Sequence, residues 1–209
     1  EKRQFFGGFE RTHEIVVPFT FECGASGIGR EEPCSSVWYQ RTFVLGKERA
    51  GKCCLLNFDG VDYTAKVWVN GNFVGTHSGA YVRFSFDITN YVKEGENLLI
   101  VKAEDRFDIS QPRGKQRWMN YNYGCWYVQS TGIWKSVWLE YVDDVFLQSL
   151  KITPDLTDYS VKLDFSVSCP AEDVCVSFAV SFGGELLQYP EEYRRVHVVA
   201  AGVHDAGGA

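Results

Sequence analysis

The sequence predicts an all-β protein: a sandwich or barrel over residues 1–142, followed over 143–209 by the opening strands of a second, incomplete sandwich. Three observations carry this. Apolar and polar residues alternate with period two in short runs broken by turn residues, and long runs with a 3.6-residue period are missing. Val67-Trp68-Val69-Asn70-Gly71-Asn72-Phe73-Val74 sets Asn-Gly between two alternating apolar runs, and Asn-Gly supplies the two positive-φ residues of a type I′ hairpin turn. The composition changes after Val142, where Asp143-Asp144 opens a second alternating series.

In order along the chain, strands are expected at 37–45, 53–58, 64–69, 83–88, 98–104 and 134–141, with the Asn70-Gly71 hairpin following the third. Asp87 is placed to cap a short helical turn over 88–92 that ends before Gly95. The second series gives strands at 145–152, 161–168 and 174–182, separated by Pro154 and by Cys169-Pro170. An immunoglobulin-like sandwich needs about 100 residues and seven strands. The stretch 143–209 accommodates only its opening half.

Composition bounds the function. With 45% hydrophobic and 15% aromatic residues the chain can bury a core large enough to offset its conformational entropy. A net charge of -6 argues against a nucleic-acid partner, which requires clustered Lys and Arg. No run approaches the roughly 20 apolar residues of a membrane span, so no membrane partner is expected. The seven cysteines show no C-x-x-C spacing and are taken as free thiols, with neighbours Cys53 and Cys54 on opposite faces of one strand. Glu1-Lys2-Arg3-Gln4 does not lead into the apolar core of a signal peptide, and a cytoplasmic location is expected. The four histidines are scattered, so neither a metal site nor a cofactor is expected.

The ordered succession Phe58-Asp59-Gly60-Val61-Asp62-Tyr63, Val67-Trp68-Val69-Asn70-Gly71, Val74-Gly75-Thr76-His77-Ser78-Gly79-Ala80-Tyr81, Phe84-Ser85-Phe86-Asp87, Gly95-Glu96-Asn97, Pro112-Arg113-Gly114-Lys115-Gln116 and Thr131-Gly132-Ile133-Trp134 resembles the N-terminal sugar-binding domain of family 2 glycoside hydrolases. That family contains β-galactosidases, β-glucuronidases and β-mannosidases. The resemblance implies a jelly-roll β-sandwich at 1–142, then a partial immunoglobulin-like β-sandwich at 143–209, then a catalytic barrel that these residues do not include. The family's acid/base glutamate follows an asparagine, and the chain contains no Asn-Glu dipeptide. A barrel alone takes about 250 residues. No catalytic residue is therefore assigned, and the chain alone is expected to be inactive. Asp62, Asn70 and Asp87 are read as scaffold, their short polar side chains bonding backbone amides near strand ends.

A lesser role falls to the loop between Asp105 and Ser130, where Arg113, Lys115, Gln116, Trp118 and Trp126 are the candidate substrate-binding residues. Aromatic faces stack on the apolar face of a pyranose, and Arg, Lys and Gln donate to hydroxyls or a carboxylate. In the family this loop reaches toward the barrel mouth. Two alternatives stay open: Trp118 and Trp126 pack against that barrel, or Arg113 and Lys115 are ordinary solvated charges. Two departures stand out. Trp126 occupies the place of a sugar-contacting aspartate, and Ala80 and Arg83 replace Gly and Pro, with Ala80 disfavouring positive φ at its turn. His77 is expected as a hydrogen-bonded turn residue. The expected partners are a carbohydrate and the protein's own barrel, with homo-oligomerisation possible through the parent enzyme. The competing functions are an accessory domain of a β-glycosidase, β-galactosidase first, a stand-alone lectin-like module, and a structural interaction domain.

Overall fold

The computed structural model of the chain describes residues 5–47, 51–106, 110–158, 160–168, 175–179, 181–186 and 195–197. It is all-β, as the periodicity predicts, and contains only one short 3₁₀ turn, Gly24–Ser26, among the described residues. The chain divides into two compact units, Glu1–Asp143 and Asp144–Ala209.

The first unit contains β1 (Ser36–Leu45), β2 (Cys53–Phe58), β3 (Val61–Asp62), β4 (Thr64–Val69), β5 (Asn72–Ser78), β6 (Phe84–Asp87), β7 (Gly95–Glu104), β8 (Gly132–Ile133) and β9 (Val137–Val142). One antiparallel sheet runs β1-β7-β4-β5 and the other β6-β2-β9, with β3 and β8 as a separate pair. Each strand turns one set of alternate residues to the space between the sheets. On β4, Ala65, Val67 and Val69 are fully buried, and on β2 Cys54, Leu56 and Phe58 join them in the core with Tyr39, Leu45, Val101 and Ile133. Cys53, on the opposite face from Cys54, is half-buried.

The β4–β5 hairpin forms with Asn70 at φ 51° and Gly71 at φ 81°, the pair of positive values that Asn-Gly predicts. Asn97, 1% exposed, completes this corner. Its Oδ1 accepts from Asn70 Nδ2 at 2.9 Å and from the Lys93 amide at 2.9 Å, while its Nδ2 donates to the carbonyls of Lys93 and Gly95. Asp87 accepts from the Thr89 amide at 2.9 Å, so it caps a single turn at 89–91 rather than a helix.

The outer face of the first sheet holds an aromatic cluster that the sequence did not announce. Trp38 and Trp68 stack at 5.7 Å, and Phe5 and Phe6 cover them from the N-terminal segment, where the Phe9 amide donates to Gln40 Oε1 at 2.8 Å. Ala80 keeps a negative φ and Gly79 takes the positive one, φ 133°. His77 differs from expectation. It lies on β5 stacked on Phe84 at 4.1 Å, and its buried Nε2 has no hydrogen-bond partner among the described residues, because the aromatic face rather than a turn carbonyl surrounds it.

The second unit contains β10 (Leu147–Asp155), β11 (Ser160–Val167), β12 (Cys175–Ser177), β13 (Ser181–Phe182), β14 (Glu185–Leu186) and β15 (Arg195–His197), in the antiparallel pairs β10–β11, β12–β15 and β13–β14. Two boundaries differ from the sequence reading. Pro154 lies inside β10 rather than after it, opposite Val161 in a two-stranded pair where a residue without an N–H is tolerated. The strand expected at 174–182 is two, because Cys175–Ser177 pairs with β15 while Ser181–Phe182 turns back through Gly183-Gly184 onto β14. Val174 and Val180 lie outside the described residues. Among the described residues, no helix is long and apolar enough to cross a membrane.

Candidate functional site

The segment from Asp105 to Thr131 leaves the end of β7 and returns to β8, folding back on itself so that the Arg117 amide donates to the Tyr127 carbonyl at 2.6 Å and the Tyr127 amide to the Lys115 carbonyl at 3.1 Å. Gly114, at φ 60°, makes the bend. An added Cβ there would lie 3.1 Å from the Tyr81 hydroxyl.

Beneath the loop lies a layer of buried polar groups. Gln116, 5% exposed, donates from Nε2 to Asp62 Oδ2 at 2.8 Å and accepts the Ser130 amide at 2.9 Å. Arg113 Nη1 pairs with Asp105 Oδ1 at 3.0 Å, the two side chains being 10% and 1% exposed. Gln111 Nε2 and Thr131 Oγ1 also donate to Asp105, and the Thr131 amide donates to Glu22 Oε1 at 3.0 Å. A second clamp forms around Arg117, 3% exposed, whose guanidinium donates to Gln129 Oε1, Asn122 Oδ1 and both the carbonyl and carboxylate of Glu31.

Burial raises all three carboxyls above their ordinary range. Desolvation pushes Asp62 up to about 6 against the opposing Gln116 hydrogen bond, with the Asp105 charge adding to the rise. Asp105 and Glu22 are likewise raised chiefly by desolvation, Arg113 opposing it at Asp105. These carboxylates are committed to donors from the loop and sit under it. They are supports for the loop rather than an acid/base pair open to a glycosidic bond.

Above this layer the loop turns aromatic residues outward. Trp118, 54% exposed, stacks on half-buried Trp126 at 5.1 Å and 25°. Tyr123 lies 6.2 Å from Trp126 and Tyr121 5.9 Å from Tyr123. Lys115 is exposed. Of the five candidate residues, the structure therefore joins Trp118 and Trp126 in one stacked platform and directs Arg113 and Gln116 inward. Arg113 is not a solvated charge, since its guanidinium is sequestered by Asp105. Asp105, Glu22, Arg117 and Gln129 were missed by sequence reasoning. Polar residues immediately before the Gly132-Ile133 strand, and the acid directly after the 98–104 strand, were the available signals. Among the described residues, no group of three or more His, Cys, Asp or Glu side chains could hold a metal ion.

Residues 13–141, which span both sheets and the loop, match the family model described as glycosyl hydrolases family 2, sugar binding domain. The chain belongs to glycoside hydrolase family 2. This family 2 chain is 37% identical over 128 residues to a β-galactosidase of Thermoanaerobacter pseudethanolicus, covering 59% of this chain and 16% of that one. It is 30% identical over 131 residues to a putative β-glucuronidase of Formosa agariphila, covering 62% of this chain and 15% of the relative. The chain thus spans about one-sixth of the length of these relatives. Among solved structures, a β-glucuronidase of Ruminococcus gnavus in complex with a C6-substituted uronic isofagomine superposes with a TM-score of 0.64 at 20% identity, over 80% of this chain and 30% of that one. At that identity the likeness speaks for the fold.

Proposed function

We propose that this family 2 chain is a non-catalytic jelly-roll sandwich and partial immunoglobulin-like unit of a retaining β-glycosidase, and that its 105–131 loop forms one wall of the sugar site and docks on the catalytic barrel. The supporting observation is the stacked Trp118–Trp126 pair, held on a loop that two buried polar clamps fix to the sandwich. A fixed aromatic face binds a pyranose without first losing the freedom of its own side chains, so its contribution is orientation. Bond breaking needs two carboxyls roughly 5–5.5 Å apart in a retaining enzyme, which the barrel supplies.

A neutral β-galactoside is favoured over a β-glucuronide. The Arg113 guanidinium, the natural partner of a uronate carboxylate, is already balanced by Asp105. A barrel with an Asn-Glu dipeptide, encoded in the same reading frame, is the expected source of the chemistry, and a frame without one refutes the assignment. Calorimetric titration with methyl β-galactoside, methyl β-glucuronide and lactose tests the loop: binding at about millimolar Kd, lost on Trp126→Ala, is the expected result. Such binding from a frame that lacks a barrel would instead establish a stand-alone carbohydrate-binding module, for which the exposed aromatic platform is the observation in favour.

A further inference from the structure

Three buried carboxylates from three separate parts of the first unit meet the underside of the loop. Glu22 comes from the N-terminal segment, Asp62 from β3 and Asp105 from the end of β7, with 6%, 3% and 0% exposure respectively. Each accepts from the loop or its return: Asp62 from Gln116, Asp105 from Gln111, Arg113 and Thr131, and Glu22 from the Thr131 amide. Among the described residues, Arg113 is the cation that acts on Asp62 and Asp105. Glu22 Oε2 is buried with no hydrogen-bond partner among the described residues.

We infer that Glu22, Asp62 and Asp105 act as positioning residues, one buried anionic layer whose charge sets how tightly the aromatic loop sits on the sandwich. When the layer takes up a proton the loop is drawn down. When the layer is fully ionised, repulsion and the need for hydration loosen it.

The geometry supplies the asymmetry. Lifting the loop returns water to all three carboxylates at once, since each is covered by loop residues, whereas seating the loop strips that water away. Ionised carboxylates therefore favour the lifted state and protonated ones the seated state. The groups facing the layer agree on direction. Asp62 faces Gln116, Asp105, Arg113 and Glu22; Asp105 faces Arg113, Gln111 and Thr131; Glu22 faces Thr20 and Thr131 and acts on the buried Tyr39 hydroxyl of β1, which Cys34 also faces. All three acids titrate above their ordinary values in the seated state, with desolvation the largest cause in each. Seating consequently takes up protons and weakens as pH rises from the ordinary carboxylate value toward the seated-state value, levelling off above it. For Asp62, about 6 when seated against an ordinary 3.8, this corresponds to about a hundredfold change in the seating equilibrium between about pH 4 and pH 7.

The inference deepens the proposed role of the loop, and its test involves no sugar, so the two readings fail separately. The Trp118–Trp126 stack should give an exciton couplet in circular dichroism. Subtracting the spectrum of Trp126→Phe isolates it from the Trp38–Trp68 pair. In the full 209-residue chain the difference couplet is expected to weaken between about pH 4 and pH 6 and to level off above, and Asp62→Asn, which keeps the acceptor and removes the charge, is expected to flatten that transition. The same transition with an unchanged midpoint in Asp62→Asn would assign it to another group, such as a histidine, and overturn the inference. Amide hydrogen exchange of wild-type residues 115–131, corrected for intrinsic pH dependence, needs no variant: protection is expected to fall by about tenfold per pH unit between about pH 4 and pH 6 and to level off above, and constant protection between about pH 4 and pH 6 overturns the inference.

Discussion

Gly132→Ala is the substitution with the largest effect that the structure allows to be worked out. Gly132 begins β8 at φ 92°, a conformation that disfavours any Cβ by about 1 kcal/mol. A Cβ there would stand 2.1 Å from the Tyr39 hydroxyl and 3.0 Å from Cζ of the same ring. Tyr39 cannot simply swing aside: it is 8% exposed in the core, and its hydroxyl accepts the Ile133 amide at 3.2 Å. Displacing it leaves that buried amide unpaired, which costs about 1–3 kcal/mol, and overpacks the core for about another 1–3 kcal/mol. The total is about 5 kcal/mol, a large part of the roughly 5–15 kcal/mol that holds a domain folded. Urea unfolding followed by fluorescence measures it as a lowered midpoint at unchanged slope. The explanation carries a stricter requirement. Because the shortest contact is with the hydroxyl, Tyr39→Phe removes it, and the double variant should be about 2 kcal/mol more stable than the sum of the single effects implies. Additivity within about 0.5 kcal/mol would refute the reasoning, as would a single variant within about 1 kcal/mol of wild type.

Asn97→Ala strips four hydrogen bonds from the hairpin corner and should destabilise by about 2–4 kcal/mol in the same assay. For Asp62 the folded-state value, about 6, lies above the unfolded one, so its ionised form opposes folding at higher pH. Asp62→Asn should therefore raise stability at pH 8 by as much as about 3 kcal/mol, with the gain vanishing as pH falls to about 4; an equal gain at both pH values excludes the charge as its cause. Trp126→Ala should change the unfolding midpoint by less than about 1 kcal/mol, since the indole is half-buried beside exposed Trp118, while abolishing calorimetric binding of the β-galactoside.

The parts of the fold that were legible in the sequence are those set by neighbours in the chain. Asn70-Gly71 announces its turn because both positive φ values belong to the dipeptide itself. Alternation over 64–69 likewise separates Ala65, Val67 and Val69 from Lys66 and Trp68 without knowledge of the partner strand. What alternation cannot reveal is what covers each face. Trp68 belongs to the outer set on β4, yet it is 8% exposed because Trp38 and Phe6 close over it from strands and segments far away in sequence. The loop shows the same limit more sharply. Arg113 and Gln116 are the right residue types for grasping a sugar, but they donate inward to Asp105 and Asp62, acids brought there by β7 and β3. Trp118 and Trp126, eight positions apart, gave no periodic hint of stacking, because the fold-back that unites them depends on hydrogen bonds between Arg117, Lys115 and Tyr127.

The residues that make the chain recognisable converge on the loop's support. The Val61-Asp62 step receives Gln116 of the Pro-Arg-Gly-Lys-Gln run, Gln116 receives the Ser130 amide, and Thr131 beside it reaches both Asp105 and Glu22. Trp134 then returns across Gly60, where an added Cβ would meet the indole nitrogen at 2.9 Å, to donate to the Ala80 carbonyl at 2.8 Å. Tyr121, Trp118, Tyr127 and Met119, the most exposed large apolar residues of the loop among the described residues, stand outside those runs. The division follows from energetics. A buried donor left unpaired costs about 1–3 kcal/mol, so the support tolerates few substitutions, whereas an exposed ring can be exchanged for less than about 0.5 kcal/mol of stability. Under the proposed function, one sandwich can therefore present different surfaces on the same clamp, and exchanging exposed residues of 118–126 is expected to alter sugar preference at less cost to stability than changing the supporting motifs.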